Sequence, residues 1–473
     1  MITLKTTEAD ERPYYLSSIP PDIQKVIFVY LDNEELLAMR AASVYYRDKV
    51  SQSCQDIWVA RIATTWPNGK GTRYGKNSGF LKWSRDNNFN VHRANLNTTG
   101  FEEFMRRRRL DKSVLRRLEQ LDVSCKGESR LVNIGGLIYT VMGLCESADN
   151  KIWIRLMEDG EDIIDFLKRN IVYLDSSRIT PSLPPDSSME SIIVKSKIVL
   201  NGIYRLQAYQ LWRYLMTERN VPHFIETGAS VIAKFFLTIN SPRAQHIEKF
   251  DPYLFDEIDS DIEKCLCELT NNIKSSLSNR LGKSSDFPLV EVIHQMNSTF
   301  GDDSAEKFRG NTTNYYDSKN SLIHEVLNRK TGIPITLAVV YAAVVRRVCG
   351  ADLDLIGLPG HIVIGLQPFE ESCCQGDRVF VDVFNGGKLL SYSDLKSIVA
   401  QYGIPWSDEM AEPISHQDVW QRMVRNLMRC QTDLEDDSIP RILITLQFLI
   451  DPRTSIETFH ELILAPGFSA YTC

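Results

Sequence analysis

The sequence predicts a predominantly α-helical α+β protein, helical through its N-terminal half and carrying a small antiparallel sheet further along. Three observations support this. Apolar residues recur at helical spacing in several separate blocks. Period-two alternation is confined to two short stretches, 353–366 and 379–384. The 473 residues, 43% hydrophobic and 24% charged, form an ordinary globular composition with room for about three domains.

That composition excludes a largely disordered, collagenous or disulfide-stapled chain. Against 61 Asp plus Glu stand 54 Lys plus Arg, a net charge of -7. The whole-chain field therefore repels phosphate backbones, and nucleic acid is not an expected partner. Residues 1–15 carry Glu8, Asp10 and Glu11 without an apolar run, so they read as a disordered tail rather than a targeting signal. The longest apolar stretch, 332–345, contains Pro334 and falls short of the roughly 18 residues a spanning helix needs. No membrane segment is expected. Ten cysteines are scattered with no CxxC among them, and neither Cys265/Cys267 nor Cys373/Cys374 has a second cluster at zinc-site spacing. They read as reduced thiols of the cytoplasm or nucleus, with no metal or cofactor expected.

The first block, 16–62, holds three short helices. Ile23, Val26, Ile27, Tyr30 and Leu31 recur at helical spacing behind Pro20-Pro21, where a first turn tolerates proline. Asp32 and Glu35 form a capping-box pattern opening a second helix through Leu36, Leu37 and Met39. A third segment, from about Arg47 to Ile62, carries Ile57 and Trp58. Such a unit is too small to bury a sizeable core alone, so a partner surface is expected to complete it.

The run Leu16, Ile19-Pro20, Asp22, Ile27, Tyr30-Leu31-Asp32, Glu35-Leu36, Val44 to Arg47 and Trp58 resembles an F-box. Leucine-proline is softened here to isoleucine-proline, and Tyr46 stands for the usual second-helix tryptophan. The resemblance implies docking onto the Skp-type adaptor, and through it the cullin, of an SCF ubiquitin ligase. The docking residues it implies are Leu16, Ile19, Pro20, Ile23, Ile27, Leu31, Leu36, Leu37 and Trp58. A plain three-helix cap on the next domain is the alternative.

Residues 63–223 read as a helical linker region. The glycine-rich stretch 68–77 fails as a phosphate loop, because Lys70 and Asn77 stand where Gly and Ser or Thr are needed. Residues 101–121 form a helix whose arginines 106–109 read as a solvated face. Pro181, Pro184 and Pro185 among serines mark a loop at 175–190.

The block 224–430 carries the chemistry. Helices are expected over 226–236, 258–277 and 335–348, the last buried on most sides, with Pro334 in its first turn. The two alternating stretches follow, bearing His361 and Asp382. A buried helix followed by strands with a His and an Asp is the layout of a thiol site. There a thiolate sits at the helix N-terminus, the His takes its proton and the carboxylate orients the His. Taken singly, His361 also fits a core histidine, and Asp382 a cap on the turn at Asn385-Gly386-Gly387.

The motifs Glu226-Thr-Gly-Ala229, Tyr315-Tyr316-Asp317 with Asn320-Ser321, Gly332 to Ala338 and Leu358-Pro-Gly-His361 resemble the SirB-like transglutaminase-like family. The resemblance implies a cleft lined by Tyr315, Tyr316, Asp317, Asn320, Pro334, Thr336, His361 and Asp382. Of the two readings open to the tyrosines, cleft walls or buttresses of the following helix, buttresses is the one expected. Trp420 to Pro452 resembles the family's helical-repeat tail, 431–473 reads as a helical C-terminal extension, and the hemimethylated-DNA-binding-type domain that F-box members commonly add is not expected within this sequence. Laid over the family's Gly-x-Cys-x-x-x-Ala pattern, Gly332 to Ala338 puts Pro334 in the place of the thiol. The expected function is therefore that of a non-catalytic adaptor, its F-box holding the ligase and its transglutaminase-like domain recruiting an unknown target protein. The alternative is a hydrolase or acyltransferase using His361 and Asp382, with Thr336 or a loop cysteine as nucleophile.

Overall fold

The computed structural model describes residues 19–65, 99–120, 224–239, 254–282, 287–301, 307–366, 378–431 and 449–450, with shorter helical stretches between 164 and 216. The expectations for Leu16, the tail 1–15, the segment 68–77, the loop 175–190, Cys373, Cys374 and most of 431–473 fall outside these residues. The chain divides into two compact units: residues 1–125 with 131–200, and residues 126–130 with 201–473. It is predominantly helical, with one small antiparallel sheet.

In the first unit, α1 (Pro21–Tyr30) begins on its proline and α2 (Asn33–Ala42) on the expected capping box. Glu35 N donates to Asp32 at 2.8 Å, and Asp32 N to Glu35 at 2.8 Å. The expected third helix is three pieces: α3 (Val44–Asp48), a π-helical turn (Lys49–Ser53) and α4 (Gln55–Thr65). The turn lets Trp58 Nε1 donate to the Val50 carbonyl at 2.6 Å, burying the indole without leaving its donor unpaired.

The core of this unit is closed from within. Phe28, Leu36, Val50, Cys54, Ile57 and Trp58 pack with Phe101 and Phe104 of α5 (Gly100–Gln120). The Trp58 ring lies 5.2 Å from Phe101 and 4.6 Å from Phe104, and Arg40 covers Phe101. The expectation that a partner completes the core is thus corrected: the missing apolar surface comes from the same chain. The arginine run is corrected too. Arg106 and Arg107 both pair with Glu103, Arg107 being buried, and Arg108 pairs with Glu34. Burial alone would raise the Glu103 carboxyl, but the two guanidinium groups hold it down at about 2.

The second unit is built around α10 (Pro334–Cys349), buried along almost its whole length. Around it stand α6 (Ile225–Ile239), α7 (Leu254–Leu281), α8 (Leu289–Thr299), α9 (Ile323–Arg329) and α12 (His416–Gln431). A short parallel pair, β1 (Arg309–Gly310) with β2 (Thr331–Gly332), precedes α10. An antiparallel meander follows it: β3 (Asp354–Ile356), β4 (Val363–Leu366), β5 (Val379–Asp382) and β6 (Lys388–Leu390), in that spatial order. One cluster, including Val363, Phe380, Leu395 and Val399, joins the sheet to α11 (Tyr392–Ala400).

This unit reaches beyond the 224–430 block. Trp212 packs beside Trp420 with ring centroids 6.3 Å apart, and Gln417 donates to the Leu215 carbonyl at 2.9 Å. Trp212 Nε1 donates to the carbonyl of Leu449. Among the described residues no helix is long and apolar enough to cross a membrane.

Candidate functional site

Leu358-Pro-Gly-His361 is a turn and not part of a strand. His361 N donates to the Leu358 carbonyl at 3.3 Å, Gly360 sits at φ +68°, and β4 begins only at Val363. Pro359 and Gly360 together exclude regular strand backbone. Gly360 is required twice over, since a Cβ there would also meet the Tyr402 ring. Arg422 of α12 pins the turn, its Nη2 donating to the carbonyls of Leu358 at 2.7 Å and His361 at 2.9 Å.

Asp382 ends β5. The β4/β5 register pairs Ile364 with Val381, and one further step puts Asp382 opposite Val363, two residues from His361. The side chains meet, with His361 Nε2 at 3.0 Å from Asp382 Oδ1. Asp382 also accepts from Asn385 N at 3.2 Å and from Asn385 Nδ2 at 2.7 Å, so it bonds the turn as well as the histidine. It caps the turn and it orients the histidine. Burial by itself would raise this carboxyl, but hydrogen bonds from His361 and Asn385 hold it below the usual carboxylate range.

The remaining site residues fall into two sets. Tyr315 is half-buried, its ring 6.3 Å from Phe384, and Phe384 stands edge-on to His361 at 6.1 Å. Tyr316 is exposed beside Tyr315. Asn320 is fully buried and donates to the carbonyls of Asn314 at 2.7 Å and Tyr315 at 3.3 Å, while its own carbonyl accepts from Ile333 N at 3.2 Å. Through these bonds Asn320 ties the tyrosine loop to the start of α10. Asp317 starts the 3-10 turn Ser318–Asn320 by accepting from Lys319 N at 3.0 Å.

Pro334 is buried at the first position of α10, and Thr336 is buried with its hydroxyl donating to the Ser321 carbonyl at 3.3 Å. Cys349 lies in the last turn of the same helix, its thiol donating to the Val345 carbonyl. Among the described residues, the site histidine and carboxylate that the structure brings together are His361 and Asp382, beside an aromatic wall of Tyr315, Phe384 and Tyr402. The sequence reading missed Phe384, Tyr402 and Arg422. Arg422 lies 61 residues from His361, and no local motif links them.

Glu226 and Gly228 have structural work. Glu226 is buried and pairs with both Arg346 and Arg347, and Gly228 lies directly against the Trp420 indole.

On the first unit, the residues that the F-box resemblance implies as docking positions separate by exposure. Ile23 is 53% exposed and Pro20 is exposed, whereas Ile19, Ile27, Leu31 and Leu37 are half-buried. Leu36 and Trp58 are 0% exposed and belong to the unit's own core, which corrects their expected role as contact residues.

Residues 258–425, which contain the buried helix and the meander that brings a histidine to a carboxylate, match the family described as the transglutaminase-like superfamily. The chain is also 30% identical over 194 residues to "F-box only protein 21" of Homo sapiens, and 30% identical over 189 residues to the protein of that name in Mus musculus. The human alignment takes in 36% of this chain and 28% of the relative. A "UPF0162 protein" of Xylella fastidiosa (strain 9a5c) is 33% identical over 126 residues, 25% of this chain and 42% of that protein. The chain thus aligns with less than half the length of these curated relatives. Both comparisons support the expected resemblance to an F-box protein with a transglutaminase-like domain. No solved structure matches the chain.

Proposed function

We propose that the protein is the substrate-recognition subunit of an SCF-type ubiquitin ligase, with its first unit docking on a Skp-type adaptor and its transglutaminase-like domain recruiting a target without catalysis. The observation that carries this reading is an apolar face left open on a unit whose core is already closed. Ile23, Val26, Val29 and Tyr30 of α1, with Val44 and Tyr45 of α3, are all exposed, Tyr30 at 85%. Single exposed apolar residues need no explanation, but six fall on two short helices linked by the Gln24–Tyr45 hydrogen bond. The similarity to proteins named F-box only protein 21 supports the same assignment. Reduced cysteines suit the cytoplasm or nucleus, where such a ligase works.

The test is co-purification of the full chain with a recombinant Skp-type adaptor and cullin, comparing wild type with Ile23→Asp/Val26→Asp. Capture by the wild type and loss in the variant, with an unchanged melting curve, supports the reading. Equal capture by both, or none by either, overturns it.

The 3.0 Å contact of His361 with Asp382 favours a second reading, in which the domain keeps an acyl-transfer or hydrolytic activity. Pro334 at the first turn of α10 and the engaged Thr336 hydroxyl weigh against it. Alkylation by iodoacetamide at neutral pH distinguishes the two. One cysteine labelling far faster than the rest, and slowing in His361→Ala, would favour the enzyme. Labelling indifferent to His361 favours the adaptor.

A further inference from the structure

We infer that the corner between Tyr392 and Trp406 is a binding site for a methylated ammonium group, with the chain's own Lys396 as its resident occupant. The site goes beyond the proposed function and does not depend on it.

Tyr392 is the first residue of α11, and Trp406 lies six residues beyond the end of that helix at Ala400. Their ring centroids are 5.2 Å apart and their planes meet at 76°, so the rings make two walls of a nearly right-angled corner. Both are half-buried and pack on the cluster that includes Val363, Phe380, Leu395 and Val399, which fixes them from behind. Asp408, at the start of a 3-10 turn (Asp408–Ala411), ties the walls together. Its Oδ1 accepts from the Tyr392 hydroxyl at 2.6 Å and from Trp406 Nε1 at 2.8 Å. These two bonds hold the Asp408 carboxyl below the usual carboxylate range, so it is ionised at neutral pH. Two aromatic rings joined by a carboxylate attract a cation.

A cation already stands there. Lys396 lies one turn after Tyr392 on α11, with its Nζ 5.0 Å from the Tyr392 ring centroid and 5.9 Å from that of Trp406. Lys396 is exposed, and among the described residues its ammonium makes no hydrogen bond or ion pair. A plain ammonium brings three donors that only water satisfies here, so it holds the corner weakly. Methylation keeps the charge, removes the donors and lays methyl groups on the rings. An exposed lysine held by ring contacts alone is therefore an occupant that a trimethylated ammonium displaces.

The experiment uses the full chain and three probes: a Gly/Ser dodecapeptide with a central trimethyllysine, the same peptide with lysine, and choline. Titrations followed by saturation-transfer NMR are expected to show wild type binding the trimethyllysine peptide more tightly than the lysine peptide. Lys396→Ala vacates the corner and is expected to tighten the trimethyllysine peptide about tenfold. Adding Asp408→Asn keeps the shape, removes the charge and is expected to reverse that gain. Trp406→Ala is expected to abolish the preference, with a melting curve to confirm that the variant folds. Equal affinity for the two peptides in Lys396→Ala, no binding of either, or a gain that survives Asp408→Asn overturns the inference. Choline identifies the source of the group: weaker binding than the trimethyllysine peptide supports a methylated lysine of another protein, and equal or tighter binding supports a free quaternary ammonium compound.

Discussion

The Trp420 indole fills the space beside Gly228 where a Cβ would stand, and its Nε1 donates to the Ile225 carbonyl at 2.8 Å. This locks α12 onto α6 across nearly 200 residues of chain. Gly228→Ala is expected to lower the melting temperature of the second unit by several degrees, because a rigid indole beside helix backbone cannot yield. Trp420→Ala, which leaves a cavity, is expected to cost about 3–5 kcal/mol. The double variant is expected to cost less than the sum, since the shared overlap has gone. Calorimetric melts of the three variants check this.

Leu36 and Ile23 separate core from surface. Leu36→Ala is expected to destabilise the first unit by about 2–5 kcal/mol, and Trp58→Ala by a similar amount. Ile23→Asp and Tyr30→Asp are expected to stay within about 0.5 kcal/mol of wild type, because both side chains already face water. Denaturant titration reads the difference.

Glu103 predicts an acid dependence. Its folded pKa of about 2 lies below the ordinary 4.5, so the carboxylate contributes stability above pH 4.5 that is lost as pH falls toward 2. The contribution is on the order of 3 kcal/mol. Asp382 has the same sign, its carboxyl being held below the usual range. Glu103→Gln is expected to flatten the stability-against-pH curve of the first unit below pH 4.5. Unfolding midpoints measured from pH 2 to 7 check it.

Asp382 serves two neighbours, and substitution separates them. Asp382→Asn is expected to weaken the hold on His361 and to cost about 1–3 kcal/mol, the range for disturbing a buried charged hydrogen-bond acceptor. Asn385→Ala is expected to loosen the turn while leaving the His361 contact in place. Hydrogen exchange at the amides of 385–387, followed beside the His361 ring resonances, distinguishes the two effects.

Much of this fold was legible from the chain because its signals are local. The Asp32/Glu35 capping box, the proline opening α10 and the turn residues after Asp382 each act over three or four residues, and each is found where expected. The His361–Asp382 pair was legible from the layout of a buried helix followed by two alternating stretches, one bearing a His and the other an Asp. The misses are long-range. That Phe101 and Phe104 close the first core, and that Arg422 pins the His361 turn, depend on packing between segments far apart in sequence. The arginine run misled for the same reason, because Glu103 pairs both Arg106 and Arg107 while Glu34 takes Arg108 from 74 residues away.

The Trp58–Phe101–Phe104 cluster bears on inheritance as well as stability. A docking element that completes its own core travels between genes as a cassette, and changes outside it are silent. Here the open face of α1 rests on aromatics supplied by α5, so a substitution at Phe104 is transmitted to Phe28 and from there to the surface of α1. The first unit must diversify as one piece, and its exposed helices cannot be transplanted without the helix that lies behind them.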